Sequence, residues 1–300
     1  MMRPSKTNLP SNLKLTILGV FLAFLLIFIL RTNFSSSPQD STSISRNGAL
    51  KESNSIEVVE PRTKCPSSSD QPIKTCNKIP STIAEALMHY STSNITPQQT
   101  YSEISVTAKI LEKKSPCNFL VFGLGHDSLM WSTLNHGGRT VFLEEDKSWI
   151  EQIKERFSML ESYHVEYDHK VNQADNLMGL AKRDECKLVG DPRHSACQLS
   201  LKGMPNEIYE IEWDLIMVDA PTGYHDEAPG RMSAIYTAGM MARNREEGET
   251  DVFVHDVNRV VEDKFSMAFL CEGYMKIQEG RLRHFTIPSH RETSGKPFCP

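Results

Sequence analysis

Residues 117–131, CNFLVFGLGHDSLMW, contain the stretch that decides the fold. A mostly apolar run, 118–122, ends at Gly123 and Gly125, and a segment with helical periodicity follows. Where a strand turns into a helix, a Gly-x-Gly corner lets backbone amides approach a ligand without a side chain in the way. The stretch therefore predicts the first strand and the cofactor-binding corner of an α/β sheet.

Downstream of this corner, short apolar runs alternate with helical patterns, which is typical of a doubly wound parallel sheet covered on both faces. We expect strands at NFLVFG (118–123), RTVFLEE (139–145), YHVEY (163–167), WDLIMVDA (213–220) and TDVFVHD (250–256). We expect helices at 81–93, 146–157, 173–183 and 230–245. Residues 272–290 indicate two strands around a Glu-Gly turn. A C-terminal β-hairpin on such a sheet favours the seven-stranded, Rossmann-like class I methyltransferase fold over a dehydrogenase.

The N-terminus predicts a membrane anchor. Residues 15–30 carry no charge, Arg31 closes the run, and three basic residues precede it. The run would span about 24 Å as a helix, which suits the thinner membranes of the early secretory pathway. A cleaved signal peptide is the alternative, but no small-x-small site directly follows. The positive-inside rule then makes 1–14 a cytosolic tail, 15–31 the signal anchor and the remainder lumenal.

Composition predicts the rest of the domain organisation. Residues 32–78 are rich in Ser, Asn, Pro and charge without apolar periodicity, and they indicate a flexible stem before a lumenal domain at 79–300. The apolar fraction of 39% is sufficient for a core. A net charge of −5 without a dense basic block argues against a nucleic-acid partner.

The seven cysteines fit an oxidising lumen. Their spacing predicts three disulfides, Cys65–Cys76, Cys186–Cys197 and Cys271–Cys299, and leaves Cys117, at the start of a buried strand, as a free thiol. No repeated C-x-x-C pattern suggests a zinc site. Asn94 begins a glycosylation sequon, NIT.

The acidic pair Glu144 and Glu145 ends the second predicted strand, about 20 residues after the glycine corner. A carboxylate at that spacing can accept hydrogen bonds from the ribose hydroxyls of an adenosine cofactor. Ser128 replaces the third glycine of the dinucleotide fingerprint, which favours S-adenosylmethionine over NAD. An NAD-dependent nucleotide-sugar oxidoreductase is therefore a disfavoured alternative.

Polar residues also follow the fourth and fifth strands, namely Asp219 and then His255 and Asp256. Ligands of open α/β sheets bind beyond these carboxyl ends. A carboxylate or imidazole there could act as general base for methyl transfer to an alcohol. Alternatively, Asp219 and Asp256 could hold a divalent metal that lowers the pKa of the hydroxyl. A purely structural interpretation is that Asp219 caps a helix and His255 makes a hydrogen bond in the core.

The long loop after Asp219 contains three candidate substrate-binding residues, Tyr224, His225 and Arg231. Aromatic faces stack on sugars, and an arginine fork matches the carboxylate of a uronic acid. The alternative for Arg231, which is at least as consistent with the sequence, is a surface ion pair at the N-terminus of a helix.

Four long motifs resemble the plant glucuronoxylan 4-O-methyltransferases of the DUF579 family. They are NFLVFGLGHDSLMWSTLNHGGRTVFLEED, WDLIMVDAPTGYHDEAPGRMSAIYTAGMMARNR, ETDVFVHDVNR and GRLRHFTIPSH, and the resemblance covers roughly residues 76–300. It implies a single-pass type II Golgi membrane protein with a lumenal catalytic domain. The implied reaction is 4-O-methylation of glucuronic acid side chains of xylan with S-adenosylmethionine, a step in hemicellulose biosynthesis of the secondary cell wall.

Carried over by position, the resemblance places the cofactor on Gly123, Gly125 and Glu144, with Glu145 and Asp127 as neighbours. Asp219 and the His255–Asp256 pair would face the hydroxyl. A metal there is an analogy with metal-dependent small-molecule O-methyltransferases.

Two alternatives remain open within this family. One is methylation of glucuronic acid on arabinogalactans, and the other is a noncatalytic role in xylan assembly, with other xylan-synthesising Golgi enzymes as possible partners.

Overall fold

The computed structural model describes residues 79–292 and 296–300. The predicted tail, anchor and stem lie outside these residues, as do Cys65 and Cys76. Within the two ranges, every helix is too short or too polar to cross a bilayer.

Seven strands form one sheet. They are β1 (Asn118–Phe122), β2 (Arg139–Glu144), β3 (Glu161–His164), β4 (Leu215–Val218), β5 (Glu249–Val254), β6 (Met275–Glu279) and β7 (Leu282–Pro288). The spatial order is β3-β2-β1-β4-β5-β7-β6. The first five strands are parallel, and β7 runs antiparallel to both β5 and β6. This order, with its antiparallel seventh strand in a C-terminal hairpin, confirms the predicted class I methyltransferase fold.

The α-helices of the described residues precede the sheet or lie between its strands in the chain. They are α1 (Ser81–Thr92), α2 (Tyr101–Lys114), α3 (Ser128–Leu134), α4 (Lys147–Arg156), α5 (Ala174–Met178), α6 (Asn206–Glu210), α7 (Met232–Asn244) and α8 (Val260–Phe265). A π-helical segment, Ser266–Cys271, continues α8.

Alternate residues of each central strand enter one of two hydrophobic cores. Phe119 and Val121 of β1 pack with Leu111 of α2 and Trp131 of α3. Leu120 and Phe122 belong to the opposite core, which α7 and α8 cover. The strands are therefore buried on both faces, so their apolar runs are continuous, as in other doubly wound sheets.

Two predicted elements differ from the structure. The third strand begins at Glu161 and ends at His164, so the apolar pattern at 163–167 misplaced it. As an edge strand it pairs only with β2, and Glu161 is tolerated there because it forms an ion pair with Arg139. The helix predicted at 173–183 is α5 followed by a 3₁₀ segment that begins at Gly179.

The described cysteines pair as predicted. Disulfides join Cys186 to Cys197 and Cys271 to Cys299, and Cys117 is buried as a free thiol. Burial raises the pKa of Cys117 to about 11, so its thiol is held in the unreactive protonated form.

The Cys186–Cys197 bridge closes a loop in a region with little regular structure. Replacing both cysteines by alanine should lower the free energy of unfolding by about 3 kcal/mol, because the cross-link limits the entropy of the unfolded chain. Urea denaturation under oxidising conditions measures this. The matched control is Cys117→Ala, which removes a thiol but no cross-link. Equal stability of the double variant and wild type would contradict a structural role for the bridge.

Candidate functional site

The glycine corner after β1 is shaped for close approach. Gly123 has a φ of +126°, and a Cβ at this position would lie 3.2 Å from the Cβ of Ala220. A Cβ on Gly125 would lie 2.8 Å from Oδ1 of Asp127. The amide of Gly125 donates to Oγ of Ser128 over 2.9 Å, so this amide is not free for a pyrophosphate. The serine that replaces the third glycine therefore has a structural role in the corner.

Glu144 and Glu145 have different roles at the end of β2. The buried carboxylate of Glu144 accepts hydrogen bonds from the amides of Leu124, Glu145 and Asp146 at 2.9–3.0 Å. Burial raises the pKa of Glu144 against the effect of these bonds. Oε1 of Glu145 accepts from the amide of Thr222, whereas its Oε2 is buried without a hydrogen-bond partner. Glu144 thus fixes the corner, and Glu145 keeps one carboxylate oxygen without a hydrogen-bond partner.

Asp127 stands between the glycine corner and the end of β4. Its Oδ2 accepts a 2.9 Å hydrogen bond from Nε1 of Trp131. Burial, together with the negative charge of Asp219, raises the pKa of Asp127 to about 6. A cationic ligand beside Asp127 would stabilise its charged form.

Asp219 follows β4 and is the carboxylate at the centre of the site. Its Oδ1 is 2.9 Å from Nδ1 of His255 and 3.2 Å from Nη2 of Arg231, and its Oδ2 accepts from Nε2 of Gln99 at 3.0 Å. Burial opposes ionisation, but the His255 hydrogen bond and the charge of Arg231 hold the pKa of Asp219 below its ordinary value. Asp219 is therefore an ionised, oriented acceptor.

His255 is fully buried behind Asp219. Its Nδ1 is the donor to Asp219, because an ionised carboxylate can only accept. Its Nε2 has no hydrogen-bond partner and lies 3.7 Å from Oε2 of Glu103. Glu103 is held in turn by the amides of Thr100 and Arg281. His255 therefore orients Asp219 and does not itself face the cavity.

The buried carboxylate of Asp256 is bonded to positively charged side chains. It adopts a left-handed φ of 61°, and its Oδ2 bonds to Arg259 and, at 3.0 Å, to Nη2 of Arg231. Its Oδ1 accepts from Arg281 at 3.0 Å. Three guanidinium groups thus surround one carboxylate.

This arrangement does not fit the divalent metal considered for Asp219 and Asp256. One donor atom from each of Asp219, His255 and Asp256 lies within 4.8 Å of the others. However, both oxygens of Asp256 and one of Asp219 are bonded to guanidinium groups. A dication would have to displace cations already bound there, so no catalytic step is assigned to a metal.

The predicted role of Arg231 as a clamp for a substrate carboxylate also does not fit. Its side chain is 5% exposed. Its Nε donates to the carbonyl of Pro221 and its Nη1 to the carbonyl of His255, and its Nη2 bridges Asp219 and Asp256. The guanidinium is used within the protein, and because it is buried it also differs from the surface ion pair that was the alternative for this residue.

The predicted site residues converge on one cavity of about 460 Å³ at the carboxyl ends of the strands. Eight of them line it, namely Gly123, Gly125, Asp127, Glu144, Glu145, Asp219, Tyr224 and Arg231. Tyr224 is exposed and packs edge to face on His225 at a centroid distance of 4.8 Å. His225 is exposed beside the cavity rather than in its lining.

Sequence reasoning missed three residues of this site: Gln99, Glu103 and Arg259. Gln99 and Glu103 belong to a segment that precedes the sheet and packs against Asp219 and His255. A signal for Glu103 was present, since Thr100 and Glu103 form the capping box that begins α2. No sequence pattern pointed to Gln99 or to Arg259.

Several known proteins are similar to this chain. The model of the family described as IRX15/IRX15L/GXM matches residues 102–285. Glucuronoxylan 4-O-methyltransferase 1 of Arabidopsis thaliana is 62% identical, over 100% of both chains. Glucuronoxylan 4-O-methyltransferase 3 of the same plant is 57% identical over 98% of this chain and 97% of its own. Its arabinogalactan O-methyltransferase 2 is 48% identical over 72% of this chain and 77% of its own.

Replacement of Arg231 by methionine should lower the free energy of unfolding by about 3–5 kcal/mol, because it removes the cation shared by the partly buried Asp219 and the buried Asp256. Chemical denaturation measures the change. The control is Lys170→Met, which removes the cation of the exposed Lys170–Glu227 pair and should change stability little. If both variants unfolded at the same denaturant concentration, Arg231 would not be a residue that stabilises the site.

Proposed function

The chain belongs to the IRX15/IRX15L/GXM family, and from this membership we propose that it methylates the 4-hydroxyl of glucuronic acid side chains of glucuronoxylan. The observation that carries the proposal is the 62% identity, over the full length of both chains, with a protein named for that reaction. The cavity geometry supports it. The glycine corner, which is predicted to bind an adenosine cofactor, and the ionised carboxylate of Asp219, which can accept a hydrogen bond from a hydroxyl, line the same cavity.

We propose S-adenosylmethionine as the methyl donor. When bound, it supplies an electrophilic methyl group on a sulfonium. Gly123 and Gly125 would let it approach the backbone, and Glu145, which lines the cavity and has one carboxylate oxygen without a partner, would accept from its ribose. Glu144 would act through the corner amides that it holds. Asp127 lines the same cavity and would face the cationic part of the donor.

In the proposed mechanism, Asp219 orients the acceptor hydroxyl and takes its proton. His255 and Arg231 occupy Oδ1, whereas Oδ2 accepts only from Gln99 and retains a free lone pair. A carboxylate with a lowered pKa is a weak base, but the hydroxyl becomes far more acidic as its oxygen bonds to the methyl carbon. Asp219 therefore needs only to receive the proton late in the displacement. Most of the rate would come from positioning.

We propose a lumenal, Golgi location for the domain. The two disulfides of the described residues support it, because disulfides persist in oxidising compartments. The anchor at 15–31 remains a prediction from the sequence. Tyr224, exposed at the cavity, would offer a sugar of the polysaccharide an aromatic face.

Gly123→Ala should weaken S-adenosylmethionine binding by about tenfold or more. The left-handed φ strains any L side chain, and the added Cβ would press on Ala220, so the corner must shift. Titration calorimetry gives the dissociation constant. The control is Gly179→Ala, where a Cβ would meet nothing within 4 Å. Unchanged affinity in Gly123→Ala would remove the corner from the binding site.

Asp219→Asn should lower kcat on glucuronoxylan by at least about 100-fold, because an amide cannot accept the proton. Cofactor affinity should stay within about threefold, since the corner that binds it is intact. Asp226→Asn, an exposed position in the same loop, makes the same chemical change away from the cavity and should leave kcat near wild type. A nearly normal rate in Asp219→Asn would exclude Asp219 as the proton acceptor.

A further inference from the structure

The proposed acceptor is an anion, and one of the two arginines that line the cavity has a guanidinium nitrogen without a hydrogen bond. Two arginines line the cavity, Arg231 and Arg259. Arg231 is committed to two carboxylates and two carbonyls. A uronate carboxylate that enters the cavity would therefore find its partner in Arg259.

Only one of the two terminal nitrogens of Arg259 is hydrogen-bonded within the protein. Its side chain is 26% exposed, and its Nη2 bonds to Asp256. Its Nη1 makes no hydrogen bond, although it is buried 3.5 Å from Oε1 of Glu262. Burial raises the pKa of Glu262, which disfavours the charged form of this neighbour. A guanidinium with an unmatched donor gains when a carboxylate supplies the missing acceptor.

The loop residue that packs against Arg259 is a glycine. Gly223 lines the cavity, and a Cβ on it would lie 3.0 Å from Nη1 of Arg259 and 2.9 Å from Oε1 of Glu262. Any side chain at position 223 would therefore press on the guanidinium. The absence of one keeps Arg259 at the cavity wall.

The position of Arg259 also matches the chemistry of the acceptor. In glucuronic acid the 4-hydroxyl and the carboxylate are carried by adjacent ring carbons, so the group that binds the carboxylate must lie beside the group that accepts the hydroxyl proton. Arg231 joins Asp219 to Asp256, and Arg259 is bonded to Asp256. Proton acceptor and cation thus belong to one bonded cluster.

Resting on the proposed function, we infer that Arg259 recognises the carboxylate of the glucuronic acid side chain and determines specificity for an acidic over a neutral sugar. Arg281 provides a matched control. It bonds to the same carboxylate, Asp256, at 3.0 Å but does not line the cavity.

The test compares the binding of two xylo-oligosaccharides by titration calorimetry with S-adenosylhomocysteine present. One carries glucuronic acid, and the other carries the carboxyl-reduced side chain, glucose. Wild type should bind the acidic ligand at least about 30-fold more tightly. Arg259→Gln should reduce the ratio of the affinities for the acidic and the neutral ligand to about threefold or less. Arg259→Lys should retain an intermediate ratio, and Arg281→Gln should keep the wild-type ratio. Affinity for S-adenosylhomocysteine should be unchanged in Arg259→Gln. A loss of that affinity would show that the variant is misfolded.

A wild-type ratio in a folded Arg259→Gln variant, or a wild type that does not discriminate, would overturn the inference. Methyl transfer to glucuronoxylan is measured on the same samples. A wild type that discriminates through Arg259 but transfers no methyl group would refute the proposed reaction and leave the carboxylate recognition standing.

Discussion

The site depends on one buried guanidinium, that of Arg231, which joins the ends of two adjacent strands. Asp219 follows β4 and Asp256 follows β5, and two ionised carboxylates this close would repel each other in a water-poor interior. Arg231 neutralises both and also binds the carbonyls of Pro221 and His255. Because Arg231 ends the loop that Asp219 begins, the same contacts join the two ends of that loop.

The other charges of the site can be understood from this bridge. Asp256 takes a left-handed conformation that directs its carboxylate to three arginines, and such backbone strain is commonly found at functional sites. With Arg231 satisfied internally, Arg259 is left with unmatched donors at the cavity wall. Hydrogen bonds from His255 to Oδ1 and from Gln99 to Oδ2 also orient the carboxylate of Asp219. The carboxylate is thus held ionised before a substrate arrives, which is the preorganisation that catalysis by positioning requires.

Much of the fold and site could be predicted from sequence because strand ends are locally encoded. Gly123, Glu144, Asp219 and His255 each follow an apolar run, and parallel pairing brings those ends to one edge of the sheet. The role of Arg231 could not be predicted in this way, because the sequence shows a guanidinium but not the carboxylates that will surround it.

Contacts between residues that are far apart in the sequence could likewise not be predicted. Gln99 bonds to Asp219 from 120 positions away, and no periodicity records such a contact. The role of Arg259 likewise depends on the bonds of Arg231, which the sequence does not show. The third strand was misplaced because an edge position accepts polar residues that the apolar pattern does not mark.

The most direct test of the central claim is methyl transfer by the purified full-length chain. Labelled S-adenosylmethionine is supplied with unmethylated glucuronoxylan, with arabinogalactan and unsubstituted xylan in parallel, and NMR locates the new methyl group. We predict label at O4 of the glucuronic acid of xylan and none on unsubstituted xylan. Label confined to arabinogalactan, or none on any glycan despite bound cofactor, would contradict it.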